Sequence, residues 1–304
     1  MTFISVLMSM LPKIILDRAE KLTESSSINL FQQIKFTPIN VSFTPSPIQT
    51  SYAVVGEKQP PIILLHGFDS SLLEFRRLIP FLSKNHQVWV LDLLGFGFTH
   101  RQSSLEYSPN TIKSHLYQFW QTMIQKPVIL IGASMGGATA IDFCLTYPET
   151  VEKLVLLDSG GLTKHPIVGK FLFPPLGFLA TEFLRNLKVR QSISEMAYFD
   201  RKLAHEDALT CAALHLECDY WNKALIAFSK SGGYGCFASE LSTIKQPSLT
   251  IWGENDKILG LKPANKFQEL IPDNKLIWVK NCGHVPHLEK PEITSNYILD
   301  FANT

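Results

Sequence analysis

Short, continuously apolar runs recur along this chain at regular intervals. They are Ile62–Leu65, Val88–Leu91, Val128–Ile131, Leu154–Leu157, Leu249–Trp252 and Leu276–Val279. Apart from Thr250 they hold no polar residue, which suits strands buried on both faces of a parallel sheet. Helical patterns lie between them, near 71–84, 111–125 and 135–147. Ser71-Leu72-Leu73-Glu74 reads as a capping box for the first, and Pro148 ends the third. Strand and helix in alternation predict a doubly wound α/β domain. The alternation stops after Asp158. Residues 161–246 hold no clear strand and are rich in Leu, Phe and Ala; "PSLTIWG" at 247–253 then resumes the sheet pattern. We therefore expect a helical cap over 161–246, inserted into one α/β core made of 49–160 and 247–304. Residues 1–48 read as an N-terminal apolar helix and lead-in.

Phe3–Leu11 is almost wholly apolar. It is too short to span a bilayer, which takes about 20 residues. No positive charge precedes it and no A-x-A-like site follows, which argues against a secretory signal. Ile4, Leu7, Met8, Leu11 and Ile15 share one helical face. That face has two readings: a helix packed on the domain, and a peripheral membrane contact.

Composition narrows the classes. With 45% apolar and 18% charged residues in 304, the chain can bury a large core and is not a disordered polymer. A net charge of +1 gives no electrostatic case for nucleic acid. The five cysteines, Cys144, Cys211, Cys218, Cys236 and Cys282, are odd in number and form no C-x-x-C pair. This argues against a disulfide framework or a zinc site and for a reducing, cytoplasmic compartment.

The candidate chemistry starts at "GASMGGA", residues 132–138. Gly132-Ala133-Ser134-Met135-Gly136 fits G-x-S-x-G at the end of an apolar strand, with a helix directly after it. A sharp strand-to-helix turn needs small flanking residues and lifts the serine hydroxyl above the sheet. A turn of small residues without chemistry fits the motif alone equally well. A serine nucleophile needs a base, and the base needs a carboxylate. Asp256 in "WGENDKI" and His284 in "VKNCGHVPHLEKP" follow later strands, giving the chain order Ser, Asp, His. Two backbone N–H groups must face the oxyanion. Met135 and, in "LLHGFDSS", Phe68 are the expected donors. No cofactor or metal is expected.

Taken together, these residues resemble the α/β-hydrolase superfamily. The likeness covers roughly 49–303 and rests on His66-Gly67-Phe68, Asp92-Leu93-Leu94-Gly95-Phe96-Gly97, the Ser134 turn, Asp256 and Gly283-His284. It implies a mostly parallel eight-stranded sheet with a helical cap after the sixth strand. Haloalkane dehalogenases and epoxide hydrolases of the superfamily carry aspartate at the nucleophile position; Ser134 implies acyl transfer to water. The Ser-Met-Gly-Gly form also resembles esterases, cofactor-free haloperoxidases and meta-cleavage-product hydrolases. "HGFDSSLLEFRRL" with "DLLGFGFT" looks similar to cyanobacterial and plastid members, among them chlorophyll dephytylases and pheophytinases.

Other residues compete for attention. His66 reads as a brace of the oxyanion loop, His287 as packing or pocket edge, and Glu289 as a local cap or pair. Asp158 is the rival acid, since some related hydrolases carry the acid after that strand. Asp92 reads as fixing its own turn, and Cys282 as a buried small residue. "KFLFPPLGFLATEFL" at 170–184 is either a helix buried on the core or a lipophilic, membrane-facing entrance. The glycine-rich "SKSGGYGCF" at 229–237 reads as a loop of the cap. No charged cluster in the cap waits for a charged substrate. The expected activity is that of a serine carboxylesterase on a hydrophobic ester, such as a lipid, terpenoid or pigment ester. A carbon–carbon hydrolase of ring-cleavage products and a hydrolase-fold ligand receptor are the alternatives.

Overall fold

The computed structural model describes residues 10–162 and 175–304. Its centre is one eight-stranded sheet in the order β1-β2-β4-β3-β5-β6-β7-β8. The strands are β1 (Lys35–Ile39), β2 (Ile48–Val55), β3 (Ile62–Leu65), β4 (Val88–Leu91), β5 (Val128–Ala133), β6 (Val151–Leu157), β7 (Ser248–Gly253) and β8 (Asn274–Val279). β2 runs antiparallel to both β1 and β4, and the other pairs are parallel. The six apolar runs read from the sequence all lie in strands. Alternate side chains serve opposite layers, as the pleat dictates. Ile63, Leu65 and Leu130 enter one apolar cluster; Ile62, Leu64, Ile129 and Ile131 enter the other.

Helices α1 (Lys13–Ala19) and α2 (Ser25–Gln32) precede the sheet. Within its first half come α3 (Ile79–Leu82), α4 (Pro109–Met123) and α5 (Met135–Thr146). Between β6 and β7 the described residues hold α6 (Leu176–Arg185), α7 (Leu187–Ala197), α8 (Glu206–Ala213) and α9 (Trp221–Lys230), and no strand. The chain closes with α10 (Lys262–Leu270), α11 (Pro286–Glu289) and α12 (Pro291–Ala302).

Three details differ from the sequence reading. The sheet starts before residue 49, because β1 lies inside the stretch read as a lead-in. β1 carries Pro38 and buries only Ile39, a pattern that only an edge strand tolerates. Residues 71–84 are not one helix but a 3₁₀ turn, Leu72–Phe75, followed by α3. Ser71 caps neither; its buried hydroxyl has no hydrogen-bond partner. A capping box forms instead at Ser108 and Thr111, starting α4.

Leu11 and Ile15 are buried in the second apolar cluster. Ile4, Leu7 and Met8 of the same expected face lie outside the described residues. So do Phe171, Leu172 and Phe173. No helix among the described residues is long and apolar enough to cross a membrane.

Candidate active site

β5 runs directly into α5 through Ser134, which holds φ 52° and ψ −119°. That left-handed backbone is strained for a residue with a side chain. Close packing enforces it. A Cβ on Gly132 would overlap the Gly136 carbonyl, and one on Gly136 would overlap the Leu65 carbonyl. The turn therefore closes only with glycine at both places. Met135, the first residue of α5, has no carbonyl one turn back for its N–H.

The loops after β7 and β8 bring up the other two expected residues. His284 Nδ1 lies 3.0 Å from Asp256 Oδ2. Asp256 Oδ1 accepts the Ile258 and Leu259 N–H groups at 2.7 and 3.1 Å. Burial pushes the Asp256 carboxyl up, but His284 and these two amides outweigh it and hold it below the usual carboxylate range. The two loops touch: a Cβ on Gly253 would overlap the Gly283 carbonyl. Asp158, the rival acid, directly follows β6 and is wholly buried. Its Oδ1 accepts the Gly253 N–H at 3.1 Å. His284 Nδ1 is bonded to Asp256 and not to Asp158.

The loop after β3 closes over the serine. A Cβ on Gly67 would stand 3.4 Å from Ser134 Cβ. Glu74 accepts the Gly67 N–H at 3.0 Å, so that amide is not free for an oxyanion. Glu74 also pairs with His287 Nε2 at 3.2 Å. Burial raises the Glu74 carboxyl, yet His287 brings it down to about 2. Glu74 thus ties the loop after β3 to α11, just past His284. In the sequence it read as a helix cap. His66 is a brace: Nδ1–H donates to the Gly67 carbonyl at 2.8 Å and Nε2 accepts the Leu93 N–H at 3.1 Å. With both ring nitrogens engaged, it is no general base. Asp92 fixes its turn through the Leu72 and Phe98 amides and the Ser51 hydroxyl. Cys282 is wholly buried, and burial raises its thiol pKa.

A cavity of about 330 Å³ joins these parts and is lined by Ser134, His284, Phe68, Leu184 and Ile193, among others. The last two come from α6 and α7. Arg190 of α7 also lines it, so the insert does present one cation to the cavity. Asp69 neutralises it. The Asp69 carboxylate is ion-paired with Arg190 and accepts Trp221 Nε1–H at 2.7 Å, with His215 Nε2 3.3 Å away. Burial raises the Asp69 carboxyl, but His215, Arg190 and Trp221 hold it low. Asp69 adjoins Phe68, so the insert is fastened to the loop after β3. A second fastening is Glu289, which accepts the Gly283, Phe199 and Asp200 amides at 2.7, 3.0 and 2.8 Å. Sequence reasoning made Glu289 a local cap; it instead joins the His284 loop to the end of α7.

Among the described residues, Asp158, Asp256 and His284 are the group whose donor atoms lie close enough to hold a metal ion, within 4.8 Å of one another. Hydrogen bonds already engage His284 Nδ1, both Asp256 oxygens and one Asp158 oxygen. That donor set fits a bonded relay better than an ion site.

Comparison with known proteins bears on the family. The α/β hydrolase fold family matches residues 60–291. Alpha/beta hydrolase domain-containing protein VTE7 of Arabidopsis thaliana is 33% identical over 245 residues, spanning 80% of this chain and 74% of that one. The 2-hydroxy-6-oxo-6-(2'-aminophenyl)hexa-2,4-dienoic acid hydrolase of Metapseudomonas resinovorans is 28% identical over 295 residues, spanning 94% of this chain and 96% of its own. Monoacylglycerol lipase ABHD6 of Homo sapiens is 26% identical over 254 residues, 80% of this chain and 75% of that one. Among solved structures, a serine hydrolase involved in carbazole degradation, the CarC enzyme, superposes with a TM-score of 0.73 at 26% identity, covering 89% of this chain and 99% of its own. From the family match and the identity to VTE7, the chain belongs to the α/β hydrolase fold family.

Proposed function

We propose that the protein is a serine carboxylesterase that cleaves a hydrophobic ester through an acyl-enzyme. The observation that carries this reading is the Asp256–His284 hydrogen bond at the edge of the cavity that also holds Ser134 on its strained turn. Ser134 Oγ attacks the ester carbonyl carbon while His284 Nε2 takes its proton. The Phe68 and Met135 N–H groups receive the developing oxyanion. Collapse expels the alcohol, which takes the proton from His284. A water then attacks the acyl-enzyme with His284 as base, releasing the carboxylic acid and freeing Ser134. Asp256 holds the imidazole tautomer and stabilises its protonated form.

Apolar lining from Leu184 and Ile193, and relatives named as lipases, support a lipophilic substrate. The exposed apolar side of α6 supports contact with a membrane or a lipid aggregate that supplies it. A second reading, carbon–carbon bond hydrolysis, is favoured by the full-length likeness to the hexadienoic acid hydrolase. Two experiments decide. Fluorophosphonate labelling followed by mass spectrometry should place the adduct on the peptide carrying Ser134; an adduct elsewhere refutes the nucleophile. Nitrophenyl esters of rising chain length should be turned over repeatedly, with longer chains preferred by up to about 0.8 kcal/mol per buried methylene. Turnover of a ring-cleavage dienoate without ester turnover would favour the second reading.

A further inference from the structure

Asp158 has no role in the three-residue relay, yet it is held against it. It takes a left-handed backbone, φ 40°, and its side chain is wholly buried. Its donor atom lies within 4.8 Å of those of Asp256 and His284. Oδ1 accepts the Gly253 N–H, but Oδ2 is buried with no hydrogen-bond partner. A bare carboxylate oxygen in that position is costly. Its ionisable surroundings are Asp256 on the loop after β7, Cys282 and His284 on the loop after β8, and Glu289 on α11. None is a cation except His284 when protonated, and that imidazole is committed to Asp256.

Resting on the Ser134–Asp256–His284 reading above, we propose that Asp158 is a neutral carboxylic acid whose O–H donates a hydrogen bond to the Asp256 carboxylate. Asp158 is then a positioning residue for the catalytic relay. The count of donors decides which carboxyl keeps the proton. Asp256 receives two backbone amides and the imidazole, while Asp158 receives one amide. The better-solvated group ionises and the other stays protonated, as in paired carboxylates generally. Burial, then the Asp256 charge, push the Asp158 carboxyl well above its ordinary range. The O–H would hold the Asp256 carboxylate in place. It also keeps the pair at a single negative charge. A second charge there would favour imidazolium before substrate arrives, and an imidazolium cannot take the Ser134 proton.

The test compares Asp158→Ala, Asp158→Asn and Asp256→Asn on a soluble nitrophenyl ester, with full pH profiles of kcat/KM. Asp158→Ala removes the donor, so kcat should fall on the order of 10-fold, the worth of one hydrogen bond to a charged group, with KM little changed. Asp158→Asn keeps a donor toward Asp256 and an acceptor toward the Gly253 N–H, so it should recover much of that loss. Because the amide is uncharged like the protonated acid, the acidic limb of its profile should coincide with that of the parent protein. If Asp158 is ionised, Asp158→Asn deletes a negative charge and moves that limb to lower pH; this overturns the proposal. A kcat in Asp158→Ala equal to the parent value overturns it too. If Asp158→Ala does not fold, the Asp158→Asn limb still decides. Turnover that survives in Asp256→Asn but collapses in Asp158→Ala overturns the triad reading itself, a result distinct from either of the others.

Discussion

The strand-end site and the insert are built by different physics. The site is fixed by steric exclusion: backbone contacts at Gly132, Gly136 and Gly253 leave no room for a side chain. β5 and β7 behind it are buried at every position. The insert shares this only in part: Cys211 of α8 joins one core cluster and Trp221, Leu225 and Phe228 of α9 join the other, but its outer helices do not. α7 buries no residue, and Leu176, Phe178, Leu179 and Phe183 of α6 are 46–63% exposed. Polar fastenings add to that burial, Asp69 to Arg190, His215 and Trp221, and Glu289 to the Phe199 and Asp200 amides. Both sets end on loops that carry expected site residues, Phe68 and His284. The strand-end site and its cover therefore meet at two carboxylates.

The largest effect should come from the rigid half. Ser134→Ala should lower kcat on the order of 10⁴–10⁶-fold while the fold melts as before. Gly136→Ala, which adds one methyl, should lose turnover and stability together, because the turn cannot close over the Leu65 carbonyl. A Gly136→Ala protein with normal melting and normal turnover would show that packing does not enforce the turn. Next comes the polar fastening. Arg190→Met strands Asp69 without its cation and should cost about 3–5 kcal/mol. The loss should appear as faster hydrogen exchange in α6 to α9, with exchange in β5 and β7 unchanged. Uniform loss across both regions would mean that the insert and the core are one cooperative unit.

The same contrast explains what the sequence disclosed. The β3 and β5 runs are legible because two-sided burial leaves no polar position in Ile62–Leu65 or Val128–Ile131. β1 is not legible: one buried residue and a proline resemble a loop. Ser134, Asp256 and His284 stand out because each follows an apolar run in the order their chemistry requires. Glu74, Asp69 and Glu289 do not, since their partners lie 213, 121 and 90 positions away in the chain. Glu74 even sits in a sequence that mimics a capping box, so local pattern pointed to Ser71 when the partners were Gly67 and His287. Local rules find groups that act on their neighbours in sequence; they miss groups that join loops.

Glu74 offers a smaller, pH-resolved effect. Its folded pKa of about 2 lies below its ordinary 4.5. A depressed carboxylate pKa contributes stability above the unfolded value and loses it as pH falls through the folded one. The contribution, about 3 kcal/mol at neutral pH, should thus fade between about pH 4.5 and pH 2. Glu74→Gln should flatten that part of the urea midpoint profile while leaving an acceptor for the Gly67 N–H. A parent and variant with parallel profiles over this range would show that the Glu74–His287 pair is not ionic.

The smallest effect on stability, and the most informative about substrate, should come from the exposed side of α6. Phe178 and Phe183 are 54% and 63% exposed, whereas Gly177 and Thr181 on the opposite side are buried. Residues this exposed add little to folding, so Phe178→Ser with Phe183→Ser should change stability by no more than about 0.5 kcal/mol each. An apolar surface beside the cavity mouth has a use only if something apolar meets it. Leu184 of the same helix lines the cavity, so a lipid surface touching α6 stands next to the entrance. The double variant should therefore bind phosphatidylcholine vesicles more weakly and hydrolyse esters dispersed in them more slowly. Its turnover of a short, soluble nitrophenyl ester should match the parent protein. Equal loss on both substrates would mean that α6 shapes the cavity and does not meet a membrane. Equal vesicle binding by the variant and the parent would remove the membrane from the proposal and leave α6 as an ordinary exposed helix.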